Sequence, residues 1–546
     1  MDIQNAYSLW CRNVKNPELL AELKQLKNNT ADRTDSFYRE LSFGTAGLRG
    51  VMGAGTNRMN IYVVRRAALA LGKVLGKEQS AVIAYDTRRN SRKFAEETAC
   101  ALAEKGVKVW LFETPVPLPM LSFAIRELGC GAGVMLTASH NPSQYNGFKC
   151  FGSDGAQISV KFTKQIAAAM EKTDYFVKKR YSFATHCKKG EIRLVDRDIY
   201  KAYLSAVLAC RTAEDISDLS VLYTPLNGTG MFVVPQFLHG LGARMDTVAE
   251  QMKIDLDFST CPSPNPENIE AFSLAMEQAE RTNPDIILAT DPDCDRIGVA
   301  VRHNEAYRLL TGNEIGCLLL DRILAERTKK EPLYELAVMI RSFVSSPMAD
   351  AIMKSYGGQA WDVPVGFKYI GEMISALADN GCPELFIFAF EESCGYLAGT
   401  YCRDKDGVAA AMLICETAAY HKKQGMTLVD ALENLYQKYG YYVNKTDSIV
   451  LPGKNGEQLR ERIMARLRKK KVKTIADMKV TRYADHLKID STDVLEYECE
   501  NARLIIRPSG TEPKLKIYMM AKAQSRENAE DIIESIRADA INLIGI

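Results

Sequence analysis

Three aspartates alternate in DPDCDR, Asp291, Asp293 and Asp295, between the apolar runs IILAT and IGVAV. Like charges this close repel unless a cation or a basic partner joins them, and a donor set made only of oxygen suits a hard divalent ion. An EF-hand loop opens the same way, but it requires Gly at its sixth position and Glu at its twelfth, where this chain has Arg296 and Arg302. The aspartyl-nucleophile phosphatase pattern D-x-D-x-[TV] takes Asp291 and Asp293, then meets Asp295 where it expects Thr or Val. Carboxylates that hold magnesium and leave positions for water and a phosphate oxygen point to phosphoryl chemistry.

A matching anion site lies in RPSGTEPKLKIY. Arg507 offers a bidentate fork, Ser509 and Thr511 offer hydroxyls, and Gly510 lets backbone amides approach an oxyanion. In FEESCGY, Glu391 and Ser393 follow the apolar LFIFAF and can accept from and donate to neighbouring sugar hydroxyls. TASHNP places Ser139 and His140 at the end of GVMLT, although adjacency alone makes no hydrolase dyad, and the chain has no G-x-S-x-G elbow.

These loops need elements to hold them. Helical and strand-like segments alternate throughout, which predicts an α/β architecture. AVIAYD, the helical RKFAEETACALAEKG and VKVWLF predict a β-α-β unit, and LSVLYTPLNGTG, PDIILATD and LFIFAFEESCGY repeat a strand that ends on polar residues. Strand exits are where open α/β sheets bind ligands. Near the end, ARLIIRPSGTEPKLKIYMMAKA reads as two strands around a turn and RENAEDIIESIRADAINLI as a closing amphipathic helix, a smaller α+β domain.

At 546 residues the chain exceeds what a single hydrophobic core supports, so three or four domains are expected. Lys+Arg 70 against Asp+Glu 68 leaves a net charge of +2, which excludes a bulk field for nucleic acid or an anionic membrane. The basic run RERIMARLRKKKVKT has no aromatics interleaved and reads as a solvated helix face. The 14 cysteines form no C-x-x-C pair, and the chain has neither a signal-peptide pattern nor a run of about 18 apolar residues, so a reduced cytoplasmic compartment is expected.

In combination, FGTAGLRG, TASHNP, DPDCDR, VPVGFKYI, FEESCGY and RPSGTEPKLKIY occur in an order that resembles the α-D-phosphohexomutase superfamily, the phosphoglucomutase and phosphomannomutase enzymes, over nearly the whole chain. The resemblance implies three related α/β domains with mixed sheets and a C-terminal α+β domain of the TATA-binding-protein-like type around one cleft. The expected divisions are 1–195, 196–312, 313–435 and 436–546.

It also implies a mechanism. Ser139 matches the serine that carries a phosphoryl group, and Ser139, Asp291, Asp293 and Asp295 match the magnesium site. Arg507, Ser509, Gly510 and Thr511 match the loop that holds the non-reacting phosphate, and Glu391 and Ser393 match the sugar contacts. Arg49, His140, Lys149, Arg296 and Lys368 match basic positions, with the general acid/base open among Lys149, His140 and Lys368. The implied enzyme is an isomerase of carbohydrate metabolism that interconverts glucose 1-phosphate and glucose 6-phosphate through a phosphoserine and glucose 1,6-bisphosphate, as a monomer or homodimer with small sugar phosphates as its partners.

Phosphopentomutase and phosphomannomutase are the near alternatives. A sugar bisphosphate synthase would use the same residues, and a non-catalytic sugar-phosphate binder need not keep them all. Phe390 before Glu391 and Cys394-Gly395-Tyr396 after Ser393 depart from the common G-E-x-S-G-H form and look more like the bacterial α-phosphoglucomutase and phosphopentomutase-like branch. Asn227 stands where relatives commonly have histidine.

Overall fold

The structure is a computed structural model that describes residues 2–44, 47–329, 331–451, 453–489, 492–509 and 514–545. Gly510 and Thr511 of the expected phosphate loop lie outside the described residues, as do Thr45 and Ala46 of FGTAGLRG. The chain divides into two compact units, Met1–Gly312 with Gly366–Thr427 and Asn313–Val365 with Leu428–Ile546. The stretch expected as a third domain therefore contributes to both.

The first unit holds a six-stranded sheet in the order Leu48–Val51, Tyr145–Gly152, Ala132–Leu136, Ser80–Tyr85, Lys108–Leu111, Ile192–Leu194. The first two strands run antiparallel to their neighbours and the other four are mutually parallel. The β-α-β unit read from the sequence is Ser80–Tyr85, the helix Ser91–Ala103 and Lys108–Leu111, registered Ser80 to Lys108. Helices Ile61–Leu75 and Ser91–Ala103 cover this sheet through small and branched side chains such as Val64, Ala68, Leu71, Ala95 and Ala99, all buried.

A five-stranded sheet in the same unit has the order Ala306–Leu309, Ile297–His303, Ile286–Thr290, Ser220–Thr224, Arg244–Thr247. Ile286–Thr290 is buried along its whole length, which explains an apolar run without alternation. A hairpin, Phe386–Glu391 with Gly395–Ala398, precedes the helix Gly407–Lys422. That helix is buried from Gly407 to Ala419 and so has no polar face.

One arrangement recurs in all three places. The residues between Ala132–Leu136 and Tyr145–Gly152, between Ile286–Thr290 and Ile297–His303, and between Phe386–Glu391 and Gly395–Ala398 each join an antiparallel pair. They are TASHNPSQ, DPDCDR and the Glu392–Cys394 turn. The reversal places each polar loop at a sheet end with a rigid strand on either side.

In the second unit Val338–Ser342 and Gln359–Val363 are parallel. Five antiparallel strands follow in the order Tyr441–Val450, Lys514–Ala523, Ala502–Pro508, Leu495–Glu498, Arg482–Asp485. The two strands expected around RPSG are Ala502–Pro508 and Lys514–Ala523, and the closing helix Arg526–Ile544 buries Ala529, Ile533, Ile536 and Ala540 at helical spacing. The basic run lies in and just beyond helix Gly453–Lys469, whose Ile463, Met464 and Leu467 are buried.

Candidate active site

Ser139 sits in the first of the recurring loops with φ 51, a left-handed conformation that costs a residue with a Cβ. Its amide donates to Thr137 Oγ1 at 2.8 Å, and its hydroxyl donates to Asp291 Oδ2 at 2.7 Å. His140 Nδ1 lies 3.2 Å from the same hydroxyl. Thr137 in turn reaches Asp86 Oδ2 at 2.6 Å and Asp293 Oδ2 at 3.1 Å, so the two loops share one buried polar network. Close packing permits it: a Cβ on Gly147, in the strand beside the serine loop, would lie 2.5 Å from the Thr137 carbonyl oxygen.

Asp291, Asp293 and Asp295 are buried, with one carboxylate oxygen of each within 4.8 Å of the others. At that distance and an effective dielectric of about 20, each like-charged pair costs about 3 kcal/mol, and three such pairs rival the whole stability of a domain. Lys149 answers part of this, 2.8 Å from Asp293 Oδ2 and 3.5 Å from Asp295 Oδ2. Burial would raise the Asp293 carboxyl, but the Lys149 ammonium overrides it and holds the group below its ordinary range. Asp291 lacks that partner. Burial, then the neighbouring Asp293 and Asp295, pushes it well above its ordinary value.

A cation would relieve this repulsion. Among the described residues, Asp293 Oδ1 and both oxygens of Asp295 are buried with no hydrogen-bond donor, and the donor set is hard oxygen throughout, so these residues fit a divalent ion of the magnesium class. Among the described residues this is the group of carboxylates placed to hold one.

The FEESCGY loop joins the same network. Glu391 is buried and accepts the Gly366 amide at 2.9 Å, with Ser393 in the turn that follows. Lys405, which the sequence reading missed, lies 3.5 Å from Asp295, 3.9 Å from Glu391 and 3.6 Å from Asp404. Burial works against its charge, yet the three carboxylates hold its ammonium above the usual lysine range. Gly395 makes room for it, since a Cβ there would stand 2.3 Å from Lys405 Cδ.

Of the other basic residues, Arg296 pairs with Glu267 at 2.7 Å and Arg49 donates to Asn141 Oδ1 at 2.7 Å. Lys368 opens the helix Phe367–Asp379, where burial lowers its pKa. Asn227 is buried with φ 60, a conformation asparagine tolerates, and its side chain bonds the Lys253 carbonyl and Thr260. It shapes the loop from within. In the second unit Arg507 donates to the Tyr518 hydroxyl at 3.2 Å and the Ser509 amide to the Lys514 carbonyl at 2.8 Å.

Four family profiles match in order: the phosphoglucomutase/phosphomannomutase alpha/beta/alpha domains I, II and III on residues 40–176, 201–304 and 311–439, and the C-terminal domain on 462–538. A Staphylococcus haemolyticus protein named phosphoglucomutase is 35% identical over 531 residues, 93% of this chain and 96% of that one. The chain belongs to the phosphoglucomutase/phosphomannomutase family. A second relative of that name, from Staphylococcus saprophyticus, is 32% identical and covers 98% of this chain and 100% of its own.

Solved structures share the family fold. Parafusin, a phosphoglucomutase from Paramecium in an open form, aligns with a TM-score of 0.69 at 17% identity over 93% of this chain and 95% of its own. A family protein from Burkholderia thailandensis gives 0.67 at 18% over 93% and 98%. The four-domain α/β architecture, with its α+β C-terminal domain, is therefore that of the family.

Lys405 left a trace in the sequence. RDKDG sets four charged residues ahead of GVAAAMLI, a helix with no polar face, and charges there have no solvent-exposed surface to occupy. Arg403, Asp404, Lys405 and Asp406 are all buried. Arg88 was missed too, although DTR directly follows a strand.

Proposed function

We propose that the protein is a magnesium-dependent α-phosphoglucomutase that interconverts glucose 1-phosphate and glucose 6-phosphate through a phosphorylated Ser139 and glucose 1,6-bisphosphate. The observation that carries this reading is the Ser139 hydroxyl 2.7 Å from Asp291 within the aspartate cluster. Relatives named phosphoglucomutase, similar over nearly the full chain, support glucose as the sugar.

In this mechanism the phosphoryl group leaves Ser139 Oγ for a free sugar hydroxyl, whose proton passes to a base. The bisphosphate reorients, and its other phosphoryl returns to Ser139 as the sugar oxygen regains a proton. Asp291, Asp293, Asp295 and Ser139 would hold the metal ion, which supplies charge stabilisation to the transferring group. His140 is within hydrogen-bond reach of Oγ, and the lowered pKa of Lys368 suits proton exchange with the sugar. Lys149 is committed to Asp293 and acts as an electrostatic partner.

Glu391 and Ser393 bind sugar hydroxyls, Arg49 and Arg296 provide positive charge, and Arg507, Ser509, Gly510 and Thr511 hold the non-reacting phosphate. Domain divisions near 195, 312 and 435 accompany this reading. The 14 cysteines are free thiols, which suits a reducing cytoplasm, and no helix among the described residues is long and apolar enough to cross a membrane.

A coupled assay with magnesium and catalytic glucose 1,6-bisphosphate, comparing glucose, mannose and ribose 1-phosphates by kcat/KM, tests the assignment. Glucose 1-phosphate is expected to be preferred. A preference for ribose 1-phosphate would make FEESCGY a pentose-selecting loop, and accumulation of bisphosphate from 1,3-bisphosphoglycerate would indicate a synthase.

A further inference from the structure

Arg88 is buried and spends its guanidinium on the serine loop. Nη1 donates to the carbonyls of Pro142 at 2.9 Å and Tyr145 at 3.3 Å, while Nη2 donates to those of Ser139 and Asn141. Nε lies 3.2 Å from Asp86 Oδ2, and Cζ sits over the Phe258 ring, 4.8 Å from its centroid. One side chain thus collects four carbonyls from a seven-residue stretch. Asp86, which anchors it, also accepts Thr137 Oγ1 at 2.6 Å and Ser91 Oγ at 2.7 Å.

Ser139 needs such support. With φ 51 it occupies a backbone region that residues with a Cβ visit rarely and keep only where the surroundings over-determine them. Relaxation to an ordinary conformation would swing Oγ away from Asp291. The Thr137 hydroxyl fixes the Ser139 amide and Arg88 fixes its carbonyl, so the peptide planes on both sides of the serine are held.

We infer that Arg88 is a positioning residue for phosphoryl transfer: its fork of donors holds the serine loop in the one conformation that aims Ser139 Oγ at the aspartate cluster. Its guanidinium hydrogen bonds are spent on the carbonyls of the serine loop. Lysine cannot replace it, because a single ammonium lacks the planar set of donors that spans four carbonyls. The inference rests on Ser139 as the phosphoryl carrier.

The test uses the full-length enzyme and the variants Arg88→Ala and Arg88→Lys, each checked for folding by its thermal melt. With misplacement of a reacting atom costing about 100-fold, kcat should fall on that order with KM for glucose 1-phosphate unchanged. Guanidinium ion at sub-denaturing concentration should restore part of kcat in folded Arg88→Ala and none in Ser139→Ala. Transfer of phosphoryl from labelled glucose 1,6-bisphosphate to Ser139 should slow to the same degree. If Arg88→Ala does not fold, Arg88→Lys, which keeps the charge, decides by kcat and labelling rate. A folded variant with wild-type kcat, a loss confined to KM, or a folded Arg88→Ala without guanidinium rescue overturns the inference. Wild-type enzyme that takes no label on Ser139 overturns instead the function on which it rests.

Discussion

Ser139 Oγ donates a hydrogen bond of 2.7 Å to Asp291 Oδ2, joining loops 152 residues apart in the chain. A neutral hydroxyl is favourably placed there, but a phosphoryl group on it would set negative charge beside the carboxylates and is tolerable only with compensating positive charge. Removal of this oxygen by Ser139→Ala should abolish turnover while the melt stays near that of the wild type, since one hydrogen bond contributes about 1 kcal/mol. Mutase activity in the variant would contradict its role as carrier.

The aspartate cluster predicts a response to metal. Chelation should remove activity, and magnesium should restore it. The apo protein should also melt lower, because a ligand at about 100 times its Kd stabilises by about 2.7 kcal/mol. Calorimetry with and without magnesium checks this independently of turnover; Asp291→Asn should reduce the difference. Equal melts would mean that no ion occupies the site.

Lys405 ties the aspartate loop to the FEESCGY loop, so Lys405→Met leaves Asp295, Glu391 and Asp404 without their shared cation. Breaking one partner out of a buried ionic group costs about 3–5 kcal/mol, and chemical denaturation should report a loss of that order together with a fall in kcat/KM. Gly395→Ala is the gentler probe. Its Cβ would stand 2.3 Å from Lys405 Cδ, so the flexible stem must move, and kcat/KM should fall more than stability does.

The second unit carries a pH dependence of its own. Glu496 is buried on strand Leu495–Glu498, 2.8 Å from His486 Nε2 and paired with Arg503, while the His486 ring stacks on Phe343 at 4.8 Å. Burial alone would raise the Glu496 pKa, but the His486 hydrogen bond and Arg503 lower it from 4.5 to about 2. A carboxyl depressed on folding stabilises above its unfolded pKa and loses that contribution as pH falls through the folded one. The melting difference between wild type and Glu496→Gln should therefore be full above pH 4.5 and shrink toward pH 2. A constant difference across that interval would contradict the assignment.

Much of this was legible from the residues. Alternate aspartates between two apolar runs implied a metal loop because three like charges so close repel unless a cation or basic partner joins them, and IILAT read as a strand because of its apolar run. What stayed hidden was long-range. Thr137 looks like any strand-ending threonine until the fold brings Asp293 to it across 156 residues. Lys405 belongs to no local pattern that sets its partners, since Asp295 and Glu391 reach it only through tertiary packing. The left-handed backbone at Ser139 is equally invisible, because serine carries no preference for it.

The most direct measurement is to incubate the enzyme with labelled glucose 1,6-bisphosphate, locate the label by peptide mapping and chase with unlabelled glucose 6-phosphate. The account predicts one phosphoryl group per chain, on Ser139, stable in water on the timescale of turnover and discharged at once by the sugar phosphate. Label on Asp291 or Asp293, or a phosphoenzyme that drains to inorganic phosphate as fast as to sugar, would contradict it.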